Sequence, residues 1–344
     1  MRFRKILIVL FSSISILCFG IAFTNIFIQS DNFMEKESYD ALSSHSNRMM
    51  EDHLTKNVEE QPQFKPDLSK LNLYSSSLLL ANLDENEILF EKNSQKTIYP
   101  ASLTKIMTSI VAIEHLPSLE ESISVSETIF PYLVEQNASI AGFFPNEKAR
   151  AIDLLYGVML PSGADASITL AKHIAGSEAE FVKLMNEKAK ELQMNHTHFI
   201  NVTGLHDPDH YSTVEDLYLL LKYALSNPVF REIFTTDIYA TPPTNFHPEG
   251  LTFHSTMFAK LENPILENGR ILGGKTGYTD EAGLCLASLA IIDGSYYVLV
   301  SAGADGNLQT EPFHILDALT IYHELSKQIR YYKIQSLDTF GEDT

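Results

Sequence analysis

The sequence predicts an α+β fold in which both ends of one domain build a single antiparallel sheet, with a helical lobe inserted between them. Two short apolar runs, residues 77–83 and 87–90, are separated by three turn-forming residues and predict a β-hairpin. Residues 284–292 and 295–302 are also β-rich, and the Asp-Gly dipeptide between them is favoured in two-residue hairpin turns. The two hairpins therefore predict the sheet.

Apolar residues at helical spacing predict the elements between and after the hairpins. Residues 103–116, 151–175 and 178–192 show this spacing, so we expect helices there. Beyond Pro312, apolar residues recur in the same way from Ile315 to Ile329 and predict a final helix.

The N-terminal end is typical of a membrane segment. Three basic residues among the first five precede 23 uncharged residues, 6–28. A helix of this length would measure roughly 34 Å, enough for a hydrocarbon core of about 30 Å. Basic residues before the run favour a cytoplasmic N-terminus and an exterior location for the rest. Residues 1–28 are therefore predicted to be a single-pass anchor; a cleaved signal peptide is the alternative, although its apolar region is usually shorter.

The remaining chain divides by composition. Residues 29–72 contain 12 apolar and 14 charged residues among 44, without a sustained period, which is typical of a solvated tether. Residues 73–335 are predicted to form one folded domain, and residues 336–344 a tail.

The overall charge excludes one class of function. The 344 residues carry 25 Lys and Arg against 44 Asp and Glu, a formal charge of -19. Such an excess of acid argues against binding to nucleic-acid phosphates. Two cysteines exclude a disulfide framework and a Cys-rich zinc module.

A candidate nucleophile lies in the run Pro100-Ala101-Ser102-Leu103-Thr104-Lys105. Pro100 suits the start of a helix, which places Ser102 in the first turn and Lys105 on the same face. A serine hydroxyl is a weak nucleophile until a base takes its proton, and a lysine with a lowered pKa can do this. In isolation the tetrapeptide is common by chance, and a helix cap followed by a solvated lysine is the alternative.

Two further segments carry hydroxyl and amine groups. Ser162 precedes a glycine between two helical segments, where a tight turn can present its hydroxyl to a cleft. The run Lys275-Thr276-Gly277-Tyr278 leads into a predicted strand, and its small residues let a substrate backbone approach the strand edge. Lys275 supplies positive charge for a carboxylate and Thr276 a hydroxyl donor. Each segment taken alone could be an ordinary glycine-rich loop.

Two other patterns in the sequence suggest nucleotide binding or metal binding instead. Residues 269–276 fit the phosphate-loop pattern G-x-x-x-x-G-K-[ST], but the preceding residues are too polar for a buried strand and β-rich sequence follows. The run His206-Asp207-Pro208-Asp209-His210 suggests metal ligands, yet its turn-forming residues predict a polar loop near the cleft. We predict no metal and no cofactor.

In this order, the motifs S-x-x-K, Ser-Gly-x and Lys-Thr-Gly resemble those of penicillin-binding proteins and serine β-lactamases. Residues 99–108, 197–205 and 275–283 are similar to low-molecular-mass penicillin-binding proteins that act as serine-type D-alanyl-D-alanine carboxypeptidases, peptidase family S11. The resemblance covers roughly residues 73–332. It implies a β-lactamase/transpeptidase-like fold in a bacterial protein.

The resemblance implies a division of labour in catalysis. Ser102 would attack the carbonyl between two D-alanines to form an acyl-enzyme, with Lys105 as its general base. Ser162 would relay a proton to the leaving amine. The backbone N–H groups of Ser102 and Tyr278 would form the oxyanion hole.

It also implies the binding partners. Lys275 would bind the terminal carboxylate with help from Thr276, in the strand that continues through Gly277 and Tyr278. The substrate would be a peptidoglycan pentapeptide ending in D-alanyl-D-alanine, and β-lactams would be covalent inhibitors. The catalytic domain would lie outside a bacterial cell membrane, anchored by the N-terminal helix, or be secreted if that helix is cleaved.

The chain departs from the family pattern at Ala164, where the second motif usually has Asn. Loss of a buried polar partner costs about 1–3 kcal/mol, or roughly 5- to 150-fold in rate if expressed in the transition state. The short stretch after Gly277 also leads us to expect neither the β-rich second domain nor the C-terminal amphipathic helix of several relatives. A non-catalytic wall-peptide or β-lactam sensor and a serine β-lactamase remain the alternatives.

Overall fold

A six-stranded antiparallel sheet organises residues 64–341, the part of the chain that the structure, a computed structural model, describes. The sheet has the strand order β2-β1-β10-β9-β8-β7, and β3 pairs with β4 and β5 with β6 separately. In chain order, the strands are β1 (Ser77–Asn82), β2 (Glu87–Lys92), β3 (Ser122–Ser124), β4 (Lys148–Arg150), β5 (Ile238–Ala240), β6 (Thr252–His254), β7 (Ile265–Leu266), β8 (Gly269–Thr279), β9 (Gly283–Ile292) and β10 (Ser295–Ala304).

The helices fill the middle of the chain and its end. They are α1 (Thr104–His115), α2 (Phe130–Glu135), α3 (Ala151–Met159), α4 (Ala164–Ala175), α5 (Glu178–Glu191), α6 (Val214–Ser226), α7 (Pro228–Thr235) and α8 (Phe313–Gly341). Short 3-10 turns occupy Ala101–Leu103, Glu127–Ile129 and Phe258–Lys260. The helical stretch predicted over 151–175 forms two helices with residues 160–163 between them, so Ser162 lies between two helical segments as predicted.

Both ends of the domain meet in the sheet, as predicted. Strand β1 pairs with β10, so that Leu79 lies opposite Val300. Leu79 and Val300 pack against the helical lobe, whereas Leu78 and Leu80 pack on the other side with residues of α8. Since helices cover both faces, β1 reads as a continuous apolar run rather than an alternating one. The predicted α+β architecture is confirmed.

The folded part extends beyond the predicted boundaries of 73 and 335. Leu68 is buried in the same cluster as α8, and the rings of Phe64 and Tyr332 lie 5.3 Å apart. Helix α8 continues to Gly341. The end of the predicted tether therefore packs on the domain, through apolar residues too widely spaced to produce a periodic pattern.

The predicted anchor, residues 1–28, and most of the tether lie outside the described residues. Among residues 64–341, no helix combines the length and the apolar character needed to cross a membrane.

Candidate active site

Ser102 lies in a tightly held 3-10 turn ahead of α1. The preceding Ala101 has a φ of +46°, a left-handed conformation that is rare for a residue with a Cβ. Gly204 approaches this turn so closely that a Cβ on it would lie 1.8 Å from the Ala101 carbonyl oxygen. A Cβ on Gly277 of β8 would lie 3.1 Å from the Ser102 nitrogen. Two glycines thus allow a loop and a strand to fix the position of Ser102.

Lys105 is the residue that can activate this serine. Its side chain is buried in the first turn of α1, and its Nζ donates to Ser102 Oγ at 3.1 Å and to the Thr203 carbonyl at 2.6 Å. Burial lowers the pKa of Lys105 to about 7, although the negative charge of Asp165 opposes the shift. A lysine that is substantially neutral near pH 7 can accept a proton from a hydroxyl.

Ser162 lies in the turn between α3 and α4 and has a φ of +65°. Its Oγ is buried and has no hydrogen-bond partner among the side chains and backbone of the described residues. The next residue, Gly163, donates its N–H to the Gly157 carbonyl at 2.8 Å, and a Cβ there would lie 2.7 Å from that oxygen. Tight packing therefore holds a strained serine with an unused hydroxyl, an arrangement that typifies functional sites.

Strand β8 forms one side of the site, and its residues alternate in burial. Lys275 is 0% exposed, and its Nζ donates to the carbonyl of Thr276 at 2.8 Å. Burial, together with the positive charge of Lys105, holds the pKa of Lys275 well below its ordinary value. Thr276 Oγ1 lies 2.7 Å from Thr256 Oγ1, which places two hydroxyls side by side.

One cleft joins most of these residues. It is lined by both serines, Thr276, Gly277 and Tyr278. Lys105, which contacts Ser102, and Lys275 are buried. Sequence reasoning missed the other lining residues, which are Ser139, Thr256, Lys260, Leu308 and His314, with Leu284 from the predicted strand. These come from loops and from the start of α8, and no local motif marks them.

His314 is the most unusual of the missed residues. It is 2% exposed, and its Nδ1 has no partner within the part of the chain that the structure describes. Burial, followed by the positive charge of Lys260, lowers the pKa of His314 to about 4, so the ring is neutral near pH 7.

Ala164 stands where the family motif has Asn, and the structure shows what surrounds it. It is the first residue of α4, is 2% exposed, and donates its N–H to the Ser139 carbonyl at 2.8 Å. The adjacent Asp165 does not supply a replacement amide, because its carboxylate accepts the backbone N–H groups of residues 141–143.

The two rival patterns find different explanations. Residues 269–276 lie inside β8 and do not lead into a helix, so they are not a phosphate loop. Buried His210 lies with Nε2 2.9 Å from Thr104 Oγ1, and its Nδ1 accepts the Ile200 N–H. Across residues 64–341, no group of three or more His, Cys, Asp or Glu side chains is placed to hold a metal ion.

The arrangement suits acyl transfer through a serine ester. A serine within hydrogen-bond distance of a buried lysine, a second buried serine, and a strand edge lined by hydroxyls are the parts that such chemistry needs. The geometry thus fits the class of active-site serine enzymes in which a lysine can serve as the base.

Comparison with known proteins narrows this class. The family model described as D-alanyl-D-alanine carboxypeptidase, Peptidase S11, matches residues 62–306. The chain therefore belongs to the D-alanyl-D-alanine carboxypeptidase family.

Individual relatives agree with this assignment. The chain is 33% identical to D-alanyl-D-alanine carboxypeptidase DacF of Bacillus subtilis, over 64% of this chain and 55% of DacF. It is 33% identical to DacC of Escherichia coli, over 66% of this chain and 56% of DacC. The match thus spans little more than half the length of either relative. The crystal structure of the Streptomyces K15 DD-transpeptidase is similar with a TM-score of 0.66 and 26% identity, covering 74% of this chain and 98% of that one. The predicted β-lactamase/transpeptidase-like fold is confirmed.

Proposed function

We propose that the protein is a serine-type D-alanyl-D-alanine carboxypeptidase that removes the terminal D-alanine from peptidoglycan peptides. The observation that carries the proposal is the 3.1 Å contact between Lys105 Nζ and Ser102 Oγ, made by a lysine whose pKa is about 7. Family membership supports the choice of substrate.

The reaction begins with acylation of Ser102. Its Oγ attacks the carbonyl carbon between the two D-alanines while its proton passes to Lys105 Nζ. The C–N bond then breaks, and Ser162 relays the proton held by Lys105 to the departing amine of D-alanine, which leaves Lys105 neutral. Water next attacks the ester and gives a proton to Lys105, which passes it to Ser102 Oγ as the shortened peptide leaves.

The oxyanion that forms during both steps needs two donors. The backbone N–H groups of Ser102 and Tyr278 are the proposed pair. The close approach of Gly277 to the Ser102 nitrogen supports this pairing, because it brings β8 beside the 3-10 turn.

The terminal carboxylate of the substrate is proposed to bind at the β8 side of the cleft. The hydroxyls of Thr276 and Thr256 are adjacent there, and Lys260 lines the same cleft. Lys275 precedes Thr276 in β8 and donates to its carbonyl, and an anion bound nearby would favour the protonated form of Lys275. We therefore propose the predicted role in carboxylate binding for Lys275.

We further propose that the domain lies outside the bacterial cell membrane, attached through residues 1–28. The uncharged run 6–28 with basic residues before it supports this location. Expression of the full chain, followed by membrane fractionation and protease treatment of intact cells, tests it. A protein found in the cytosolic fraction would contradict the location.

The activity is tested with a pentapeptide ending in D-alanyl-D-alanine, incubated with the full chain and with Ser102→Ala. We expect the wild-type protein, but not Ser102→Ala, to release D-alanine and to be labelled slowly and stoichiometrically by a fluorescent penicillin. Adding a glycine acceptor separates a carboxypeptidase from a transpeptidase, since a transpeptidase would give the glycyl product. Labelling without D-alanine release favours a β-lactam sensor, absence of both favours a non-catalytic wall-peptide sensor, and rapid penicillin turnover favours a β-lactamase.

A further inference from the structure

Asp165 binds the loop that forms one wall of the cleft. Its Oδ1 accepts the N–H of Ala141 at 2.7 Å, and its Oδ2 accepts those of Gly142 and Phe143 at 3.1 and 3.2 Å. The same loop carries Ser139, which lines the cleft. A single buried carboxylate therefore connects helix α4, directly after the Ser162 turn, to this wall.

The same carboxylate is the negative charge that acts on the catalytic lysine. Three ionisable groups interact electrostatically with Lys105, namely Lys275 from β8, His210 from the loop before α6 and Asp165 from α4. The lysines are fully buried, and burial lowers the pKa of His210 to about 4, so that its ring is neutral. Among these groups, Asp165 alone can be an anion.

The hydrogen bonds of Asp165 fit its ionised form. Burial raises the pKa of this carboxyl, while the backbone N–H groups of the 141–143 loop oppose the rise. Because both of its oxygens accept N–H groups, a proton on either oxygen would face a donor. The loop therefore favours the carboxylate, and the carboxylate in turn fixes the loop.

We propose that Asp165 is a positioning residue for acyl transfer, which fixes the Ser139 wall of the cleft and balances the positive charge that Lys105 acquires when Ser102 is acylated. The inference rests on the proposed function of Ser102 and Lys105 and assigns this pair a third, remote partner. During acylation the proton leaves Ser102 Oγ and resides on Lys105 Nζ, and the ammonium so formed is buried. A fixed anion nearby stabilises that ammonium.

Asp165→Asn tests this role, with Glu147→Gln as the matched control. Glu147 is also 0% exposed, and its Oε2 accepts the N–H of Phe144 at 2.7 Å, so that it holds the next residue of the same loop. The electrostatic influences on Lys105 come from Asp165 and not from Glu147. The rate of labelling by a fluorescent penicillin is measured from pH 5 to 9, together with hydrogen exchange of residues 138–144.

We expect faster exchange in both variants, but a changed pH profile only in Asp165→Asn. Loss of the anion lowers the pKa of Lys105, so the acid limb of the pH profile moves to lower pH by at least about half a unit. The rate at pH 6 divided by the rate at pH 8 should therefore rise roughly threefold. The rate at pH 8 is expected to fall about tenfold or more, because the wall and the ammonium both lose support.

An unchanged pH profile in Asp165→Asn, or an equal shift in Glu147→Gln, would overturn the proposal. If Asp165→Asn does not fold, Asp165→Glu carries the test: it keeps the charge, so we expect a slower reaction with the wild-type acid limb, and a displaced limb would count against the role. Failure of the wild-type chain to label would instead refute the proposed function itself.

Discussion

The two faces of the central sheet are built on opposite principles. The face covered by α8 is a conventional core, in which Leu78, Leu80 and Ile321 are fully buried and the hydroxyl of Tyr322 lies 3.1 Å from Ser288 Oγ. The face covered by the helical lobe contains the buried amines of Lys105 and Lys275.

Beside that second face, the cleft concentrates features that cost stability. Burial disfavours a charged amine, Ser162 buries a hydroxyl without a partner in the described residues, and Ala101 has a left-handed backbone conformation. Such features persist where the surrounding packing imposes them, and they cluster at functional sites. The apolar packing on the α8 face therefore stabilises the fold, and this stability offsets the cost of the strained and buried polar groups that hold Ser102 on the lobe side.

Replacing Lys105, the proposed general base, should give the largest difference between the effect on activity and the effect on stability. In Lys105→Met, acylation of Ser102 is expected to slow by about 10²- to 10⁴-fold, because the general base is lost. The melting temperature should stay equal or rise, since an apolar side chain replaces a buried amine. Stopped-flow labelling with a fluorescent penicillin and thermal unfolding measure the two effects. A variant that keeps more than a tenth of the wild-type rate would show that another group is the base.

A substitution on the face covered by α8 is expected to reduce stability while leaving acylation nearly unchanged. Ile321→Ala should lower the free energy of unfolding by about 2–5 kcal/mol, because it leaves a cavity between α8 and the sheet. Its acylation rate per folded molecule should remain within about twofold of the wild-type rate. Urea unfolding measures the loss, and exposed Lys327→Ala on the same helix is the control, with an expected change below about 0.5 kcal/mol. A large loss of acylation in folded Ile321→Ala would mean that the two faces are coupled.

The low pKa of Lys105 on the lobe face should make both the acylation rate and the stability of the wild-type protein depend on pH. Lys105 is an effective base only when neutral, so the acylation rate should fall about tenfold per pH unit below pH 7. In the unfolded chain this lysine keeps its proton up to about pH 10.4. Between pH 7 and that value the unfolded state binds more protons, so stability should rise with pH by more in the wild type than in Lys105→Met. Acylation independent of pH between 5 and 7 would contradict the low pKa of Lys105.

The smallest expected effect concerns Ala164. Adding the amide in Ala164→Asn should increase acylation by about fivefold or more, within a ceiling of roughly 150-fold, if the missing amide normally orients the lysine and the substrate. Ala164→Leu introduces a side chain of similar size without an amide and should not increase the rate. Equal rates in wild type and Ala164→Asn would show that this chain does not need the amide.

The sequence was most informative where a local rule decides the structure. The Asp293-Gly294 turn defines the hairpin of β9 and β10, and the spacing of Ser102 and Lys105 places the serine in the turn before α1 and the lysine in the first turn of α1. Apolar periodicity continues through residues 160–163, but the Ser-Gly motif correctly predicts that Ser162 lies between two helical segments.

Residues brought together by the topology could not be predicted. Lys260 and His314 enter the cleft from segments far apart in the sequence, and neither belongs to a motif. Residues 269–276 show the opposite case, because their sequence matches the phosphate-loop pattern although their backbone forms part of a strand. The burial of Lys275, whose amine donates to the carbonyl of Thr276, was not predicted either.

We propose that acyl transfer takes place at Ser102 on the lobe side of the sheet, with Lys105 as its base. Reaction of the full chain with penicillin, followed by proteolysis and mass mapping of the adduct, tests it most directly. We expect one penicilloyl group per molecule, located on Ser102, absent in Ser102→Ala and formed slowly in Lys105→Met. An adduct on any other residue, or equally fast labelling of Lys105→Met, would contradict it.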